Sequence, residues 1–169
     1  MSSAFHFESS GRVDAAPQML FDHLDDQRKL AAHMEKGSAA MGGASMSIET
    51  DEQQGKAVGS LIRMHGRMLG IRLFLEERVT ERQPPQFKAW ETCGEPRLLV
   101  SGPYRMGFRI AAAGEASQLI VFIDYDLPRR GTARLLGRLL ARAYARWCCR
   151  RMVEDAARAF APAANPARA

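Results

Sequence analysis

Phe5, Phe7 and Val13 alternate with His6, Glu8 and Arg12, the period of a half-buried strand. Asp14 then offers a cap for a short helix with Pro17 in its first turn and Met19, Leu20 and Leu24 inward. Asp26 starts a second short helix on which Leu30 and Met34 lie one turn apart, and Gly37 stands beyond its end. The stretch Gly37 to Gly43 is small and flexible, after which strand signals dominate as far as Leu127. Met46, Ile48 and Thr50 share one face, and Gln53 to Gly55 turn into Val58, Ser60, Ile62 and Met64. A turn is expected at His65 to Arg67 about Gly66, followed by a long strand with Leu69, Ile71, Leu73, Leu75, Glu77 and Val79 on one side. Pro84 and Pro85 stop it because neither donates to a ladder. Phe87 to Thr92 reads as a shorter strand closed by Gly94, Glu95 and Pro96. Two more strands follow, one carrying Leu98, Val100, Tyr104, Met106, Phe108 and Ile110, the other Leu119, Val121, Ile123, Tyr125 and Leu127, with Gly114 in the hairpin between.

Pro128 ends the sheet and Thr132 is placed to cap a long helix. From Arg134 to Val153 residues sort into columns at four-residue spacing, as only an α-helix sorts them. One column is Arg134, Arg138, Arg142, Arg146 and Arg150, expected to face water. Two others carry Leu135, Leu139, Ala143 and Trp147, and Leu136, Leu140, Tyr144, Cys148 and Met152, expected to lie on the sheet; the last is Gly137, Ala141, Ala145, Cys149 and Val153. One strand, two short helices, six antiparallel strands and one long helix make a single α+β domain spanning residues 4–161, with an Ala/Pro tail at 162–169 that lacks the apolar content for a core.

The order of elements, together with VTERQPPQFKAW, LLVSGPYRMGF and IDYDLP running into the helix, resembles the SRPBCC (START-like) superfamily, and within it the polyketide cyclase/dehydrase and lipid-transport branch. The resemblance covers roughly Phe5 to Phe160 and rests on structural rather than catalytic motifs. It implies a helix-grip (Bet v 1-like) fold, in which a curved antiparallel sheet wraps the terminal helix and leaves an apolar cavity between them. Members of that superfamily cyclise polyketides, carry lipids or quinones, bind hormones or act as co-chaperones. No catalytic set of theirs maps onto this chain residue by residue.

Under that resemblance the cavity is expected to be lined by Ile62, Met64, Leu73, Leu75, Trp90, Tyr104, Met106, Phe108, Tyr125 and Tyr144, unless these side chains fill a solid core. Met adapts to irregular shapes, while Tyr and Trp keep one hydrogen-bonding tip on a large apolar body. Strict alternation puts Glu77 on the inner face, where lost solvation raises a carboxyl pKa and suits it to general acid work or to anchoring a ligand hydroxyl; a bulge would instead turn it to solvent. Tyr104 is its candidate partner. His33 is placed near the cavity mouth, either as a proton shuttle or as an exposed helix histidine. Asp124 and Asp126 point the same way on one strand, but two carboxylates on an outer face are ordinarily solvated or paired with arginine.

Composition narrows the classes. At 169 residues the chain can bury a core without disulfide or metal, and its three cysteines read as reduced core thiols. The net charge of +5 comes largely from the arginine column, so a nucleic-acid partner is not expected. No basic segment precedes an apolar run and no run approaches membrane-spanning length, which points to a cytoplasmic protein without a signal peptide or integral span. No His/Cys spacing fits zinc and no glycine loop fits a phosphate, so neither metal nor cofactor is called for. The expected partner is a hydrophobic small molecule of the polyketide, aromatic, lipid or isoprenoid class, with a homodimer left open. Two alternatives stand beside this reading: a cyclase or dehydratase using Glu77, Tyr104 or His33 in the same cavity, and peripheral membrane or protein contact through the arginine-rich helix.

Overall fold

The structure, a computed structural model, describes residues 3–30, 45–68, 71–98, 101–127 and 131–161. Its elements are β1 (Phe5–Val13), α1 (Pro17–Asp25), α2 (Gln27–Leu30), β2 (Ser45–Thr50), β3 (Leu61–Met68), β4 (Ile71–Gln83), β5 (Phe87–Arg97), β6 (Tyr104–Ala113), β7 (Ala116–Tyr125) and α3 (Gly131–Ala159). The seven strands form one antiparallel sheet in the order β1-β7-β6-β5-β4-β3-β2. Every connection within β2–β7 is between neighbours. The chain's first strand closes the other edge against its last, so the α1–α2 segment and α3 are free to cover one face.

Alternation sets that face. Along β4, Leu73, Leu75, Glu77 and Val79 are buried while Phe74 and Arg78 are exposed; along β7, Leu119, Val121, Ile123 and Tyr125 are buried. α1 lays Leu20, Phe21 and Leu24 on the β6–β7 part of the sheet, with Phe21 edge-on to Phe108 at 5.6 Å and Trp90 edge-on to the same ring at 6.3 Å. Each such side chain contributes about 1.5–3 kcal/mol by leaving water.

Several local expectations are corrected. His65 to Arg67 do not turn but run straight through β3, in register with Leu73 to Phe74 and Arg72 of β4; Met68 still pairs Ile71. Val58 lies in a loop before β3, exposed, because Asp51 accepts hydrogen bonds from Ser60 Oγ at 2.5 Å and the Leu61 amide at 2.8 Å and so holds Asp51–Ser60 out of the ladder. β5 continues past Thr92 to Arg97: Gly94, at φ 66°, takes up a register shift opposite Phe74 to Glu76 that other residues would resist. Ala16, not Asp14, is the N-cap of α1 and makes no side-chain cap bond; Asp26 does cap α2, accepting from the Arg28 amide at 3.1 Å. Met19 and Ile71 are exposed, and Phe21 rather than Met19 anchors α1. Thr132 sits inside the first turn of α3, which opens at Gly131.

α3 meets the sheet through only part of the side expected: Cys148 and Met152 of one expected column are buried, together with the column of small residues. The buried residues are Ala141, Ala145, Cys148, Cys149, Met152, Val153 and Ala156, whereas Leu140 and Ala143 are exposed and Tyr144 and Trp147 only half-buried. Small side chains let the helix approach closely: a Cβ at Gly11 of β1 would stand 2.5 Å from Val153 Cγ1. Bulky Leu and Trp columns at this seam would hold the helix away from the strand. Arg142, Arg146 and Arg150 face solvent as expected; the side chains of Arg134 and Arg138 lie outside the described residues.

Candidate functional site

The inner face of the sheet holds two separate apolar clusters. The larger joins β1, β5, β6 and β7 to α1 and α3 and contains Trp90, Met106, Phe108 and Tyr125. The smaller, on β2, β3 and β4, contains Ile48, Ile62, Met64, Leu73, Leu75 and Val79. Tyr104 packs against both.

At the seam between them lies Glu77. Strand register sets it opposite Ile62 on β3 and Thr92 on β5, with Trp90 one step along the same face. The carboxyl is only 1% exposed. No bulge turns it out, since the β4–β5 irregularities fall on either side of it, at Phe74/Glu76 and Val79/Glu81. Tyr104 Oη donates to Glu77 Oε1 at 2.5 Å, and the Tyr104 amide in turn donates to Thr92 Oγ1 at 3.1 Å, which fixes the tyrosine at the head of β6. Glu77 Oε2 is buried without a hydrogen-bond partner among the described residues.

Burial pushes the Glu77 carboxyl up to about 7, against the hydrogen bond of Tyr104, the nearby Trp90 side chain and the charge of Lys88, which pull it down. The same burial, reinforced by Glu77, raises the Tyr104 phenol well above its ordinary range. Burial likewise raises the Tyr144 phenol and pushes the Cys148 thiol up to about 12, with Glu77 adding to both. Cys148 is therefore a protonated, poorly nucleophilic thiol. Tyr104 and Tyr144 are half-buried, and Tyr104 also borders a surface groove lined by Ser3, Glu81, Glu91, Arg105 and Asp124.

The residues named from sequence are thus distributed unequally. Ile62, Met64, Leu73 and Leu75 form one wall of this region, Tyr104 and Glu77 its polar seam, and Tyr144 reaches it from α3. Trp90, Met106, Phe108 and Tyr125 are packed in the larger cluster, where Phe108 is wedged between Phe21 and Trp90. His33 lies outside the described residues. Asp124 and Asp126 do not share a site: Asp124 pairs with His6 Nδ1 at 2.7 Å, and Asp126 accepts from the Ala4 amide at 2.9 Å. Among the described residues no three His, Cys, Asp or Glu groups are arranged to hold a metal ion.

One buried polar group escaped the sequence reading. Lys88 is fully buried, and its Nζ donates to Asp25 Oδ1 at 2.7 Å and to the Asp25 carbonyl at 3.1 Å, while Arg82 Nη2 donates to Asp25 Oδ2 at 2.8 Å. Burial acts to raise the Asp25 carboxyl, but the hydrogen bonds of Arg82 and Lys88 outweigh it and hold the group below its ordinary value. Burial lowers Lys88, against the pull of Asp25. The parity of FKAWET carried the signal: Lys88 shares a face with Trp90 and Thr92, and a lysine on an inner face requires a carboxylate partner.

No family model and no curated protein matches the chain. Solved structures do. The Zhui aromatase/cyclase from Streptomyces sp. R1128 superposes with TM-score 0.64 at 15% identity, over 95% of this chain and 98% of its own. The chain has the helix-grip fold of START-like proteins. Protein TTHA0849 from Thermus thermophilus gives TM-score 0.63 at 13% identity, over 94% and 100% of the two chains, and ginseng major latex-like protein 151 from Panax ginseng 0.57 at 12%, over 94% and 98%. The helix-grip architecture is common to all of them, and at such identities the likeness shows the fold, not the lining of a pocket.

Proposed function

We propose that this helix-grip protein binds a hydrophobic small molecule between the β2–β4 part of its sheet and α3. The observation that carries the reading is the half-satisfied Glu77–Tyr104 pair set at the seam of two apolar clusters, with Tyr104 and Tyr144 half-buried beside it. A mostly apolar space with a few placed polar groups is what a small-molecule site requires. The neighbours of this fold include an aromatase/cyclase, which keeps a polyketide or other aromatic ligand among the candidates beside the lipid and isoprenoid classes. The solved structures give a homodimer no support, and the reading does not need one.

A second reading is favoured by one observation. A carboxyl raised to about 7 exchanges its proton near neutral pH, so Glu77 is suited to general acid or base work on a bound ligand, with Tyr104 holding it in place. Attachment to a membrane through α3 has less support, because the helix already gives its closest-packed side to β1, where Val153 meets Gly11. No helix among the described residues is long and apolar enough to cross a membrane.

The test is the mass spectrum of small molecules extracted from protein purified without detergent, paired with displacement of an apolar fluorophore. Binding should be lost in Leu75→Trp, which fills the space, and kept in Arg105→Ala on the outer face. Equal binding by both variants would contradict an interior site. Turnover of the extracted class that disappears in Glu77→Gln while binding persists would favour the enzyme.

A further inference from the structure

The buried polar groups of the inner face are nearly all paired within the chain. Lys88, Asp25 and Arg82 satisfy one another; Ser117 Oγ donates to the Ala15 carbonyl at 2.7 Å; Ser60 Oγ donates to Asp51 and accepts from the Gly55 amide at 2.9 Å. Among the described residues two buried side-chain atoms stand apart, Gln27 Nε2 and Glu77 Oε2. Gln27 belongs to a polar cleft at the rim, lined also by Asp26, Arg28, Thr50, Gln54 and Lys56. Glu77 lies inside, among Ile62, Trp90 and Tyr104. A buried carboxyl oxygen left without a partner costs about 1–3 kcal/mol or more, and native interiors rarely keep such a deficit without a use.

We propose that the bound molecule presents a hydroxyl group, of an alcohol or a phenol, to Glu77 Oε2, with its apolar body against Ile62, Met64, Leu73 and Leu75. This rests on the interior-binding reading and specifies the chemistry of its ligand. The two carboxyl oxygens have different duties. Oε1 is occupied by the Tyr104 hydroxyl whether the acid is ionised or not, because that hydroxyl can only usefully donate to it. Oε2 accepts when the carboxyl is ionised and donates when it is protonated. A hydroxyl answers both states, since it can donate or accept. An ether or ketone can only accept and is served by the protonated form alone. A ligand carboxylate can only accept and is repelled by the ionised form, so simple fatty acids are poor candidates. The neighbouring walls are apolar, so the remainder of the molecule gains nothing from further polar groups at this end.

The experiment is fluorescence titration of the whole protein at pH 8, where the Glu77 carboxyl is mostly ionised, with pyrene, 1-hydroxypyrene, 1-methoxypyrene and pyrene-1-carboxylate. Hydroxypyrene is expected to bind at least about tenfold more tightly than methoxypyrene, as a hydrogen bond to a charged or shared-proton group gives. The carboxylate should bind more weakly than pyrene itself. In Glu77→Leu the alcohol and the ether should come within about threefold of each other while pyrene still binds. Should that variant not fold, the near-isosteric Glu77→Gln gives the same readout, because its amide donates equally to an alcohol and an ether. Equal affinities for alcohol and ether in the unaltered protein, or a preference unchanged in either variant, would overturn the assignment while leaving interior binding intact. Failure of all four probes, pyrene included, would remove the interior site and the hydroxyl assignment with it.

Discussion

Two carboxyls are buried on the same face of one sheet, and they are treated in opposite ways. Asp25, the last residue of α1, receives three donors from Lys88 and Arg82 and is held below its ordinary range; Glu77, on β4, has one oxygen engaged by Tyr104 and one without a hydrogen-bond partner among the described residues, and is raised to about 7. Their surroundings differ as well. Near Asp25 the rings of Phe21 and Phe108 interlock, whereas Glu77 lies between the aliphatic and methionine cluster of β2–β4 and the Trp90 side chain, with Tyr104 and Tyr144 half-buried. A region whose polar groups are all satisfied serves stability. One that keeps a polar group waiting in an apolar setting is built for something that arrives.

The sharpest way to break this contrast is to remove Asp25. Asp25→Ala leaves Lys88 charged, fully buried and without its carboxylate, and should cost about 3–5 kcal/mol in chemical denaturation. A loss under about 1 kcal/mol would mean that the charge cluster is wet, and the division into a locked half and an open half would fail.

Next in size is a matched pair of truncations. Leu119→Ala in the larger cluster should cost about 2–5 kcal/mol and leave ligand affinity alone. Leu75→Ala in the smaller cluster should alter affinity as well, because its side chain forms part of the proposed binding wall. Identical binding by the two variants would erase the distinction.

The third prediction concerns pH. The unfolded Glu77 carboxyl titrates near 4.5 and the folded one near 7, so between those values the folded protein holds a proton that the unfolded chain has released. Its contribution is therefore fully present below about 4.5 and is lost as pH rises through about 7, a loss of about 3 kcal/mol. Glu77→Gln should flatten that slope and be more stable than the parent at pH 8. Asp25 has the opposite sign: its folded pKa is depressed, so its contribution is present above the ordinary carboxylate range and lost as pH falls through the folded value. A parent protein whose stability is level from pH 5 to 8 would place Glu77 in contact with water.

The smallest effects belong to the outer side of α3. Arg142→Ala and Arg150→Ala should each change stability by under about 0.5 kcal/mol, as exposed substitutions do.

Much of this was legible in the residues. Two-residue alternation located the strands and offered Glu77 an inward place, with a bulge as the alternative, and the resemblance to the START-like superfamily implied the helix-grip fold. What failed was local and had local causes. The turn expected at Gly66 rests on a glycine that the β3–β4 ladder simply includes, and the end expected at Gly94 is a register shift within β5. The seating of α3 differs from expectation because large apolar residues take priority in a sequence pattern, whereas closeness to Gly11 selects the small ones at Ala141, Ala145 and Cys149. The Lys88–Asp25 pair joins positions 63 residues apart, and no spacing along the chain announces such a partner.

The central claim is tested most directly at the Glu77 carboxyl carbon, followed by NMR through a pH titration with and without saturating 1-hydroxypyrene. The account predicts a titration midpoint near 7 in the free protein and a displaced carboxyl resonance once the probe is bound. A midpoint near 4.5, with a resonance indifferent to the probe, would show a solvated acid and contradict the proposal that this interior receives a ligand.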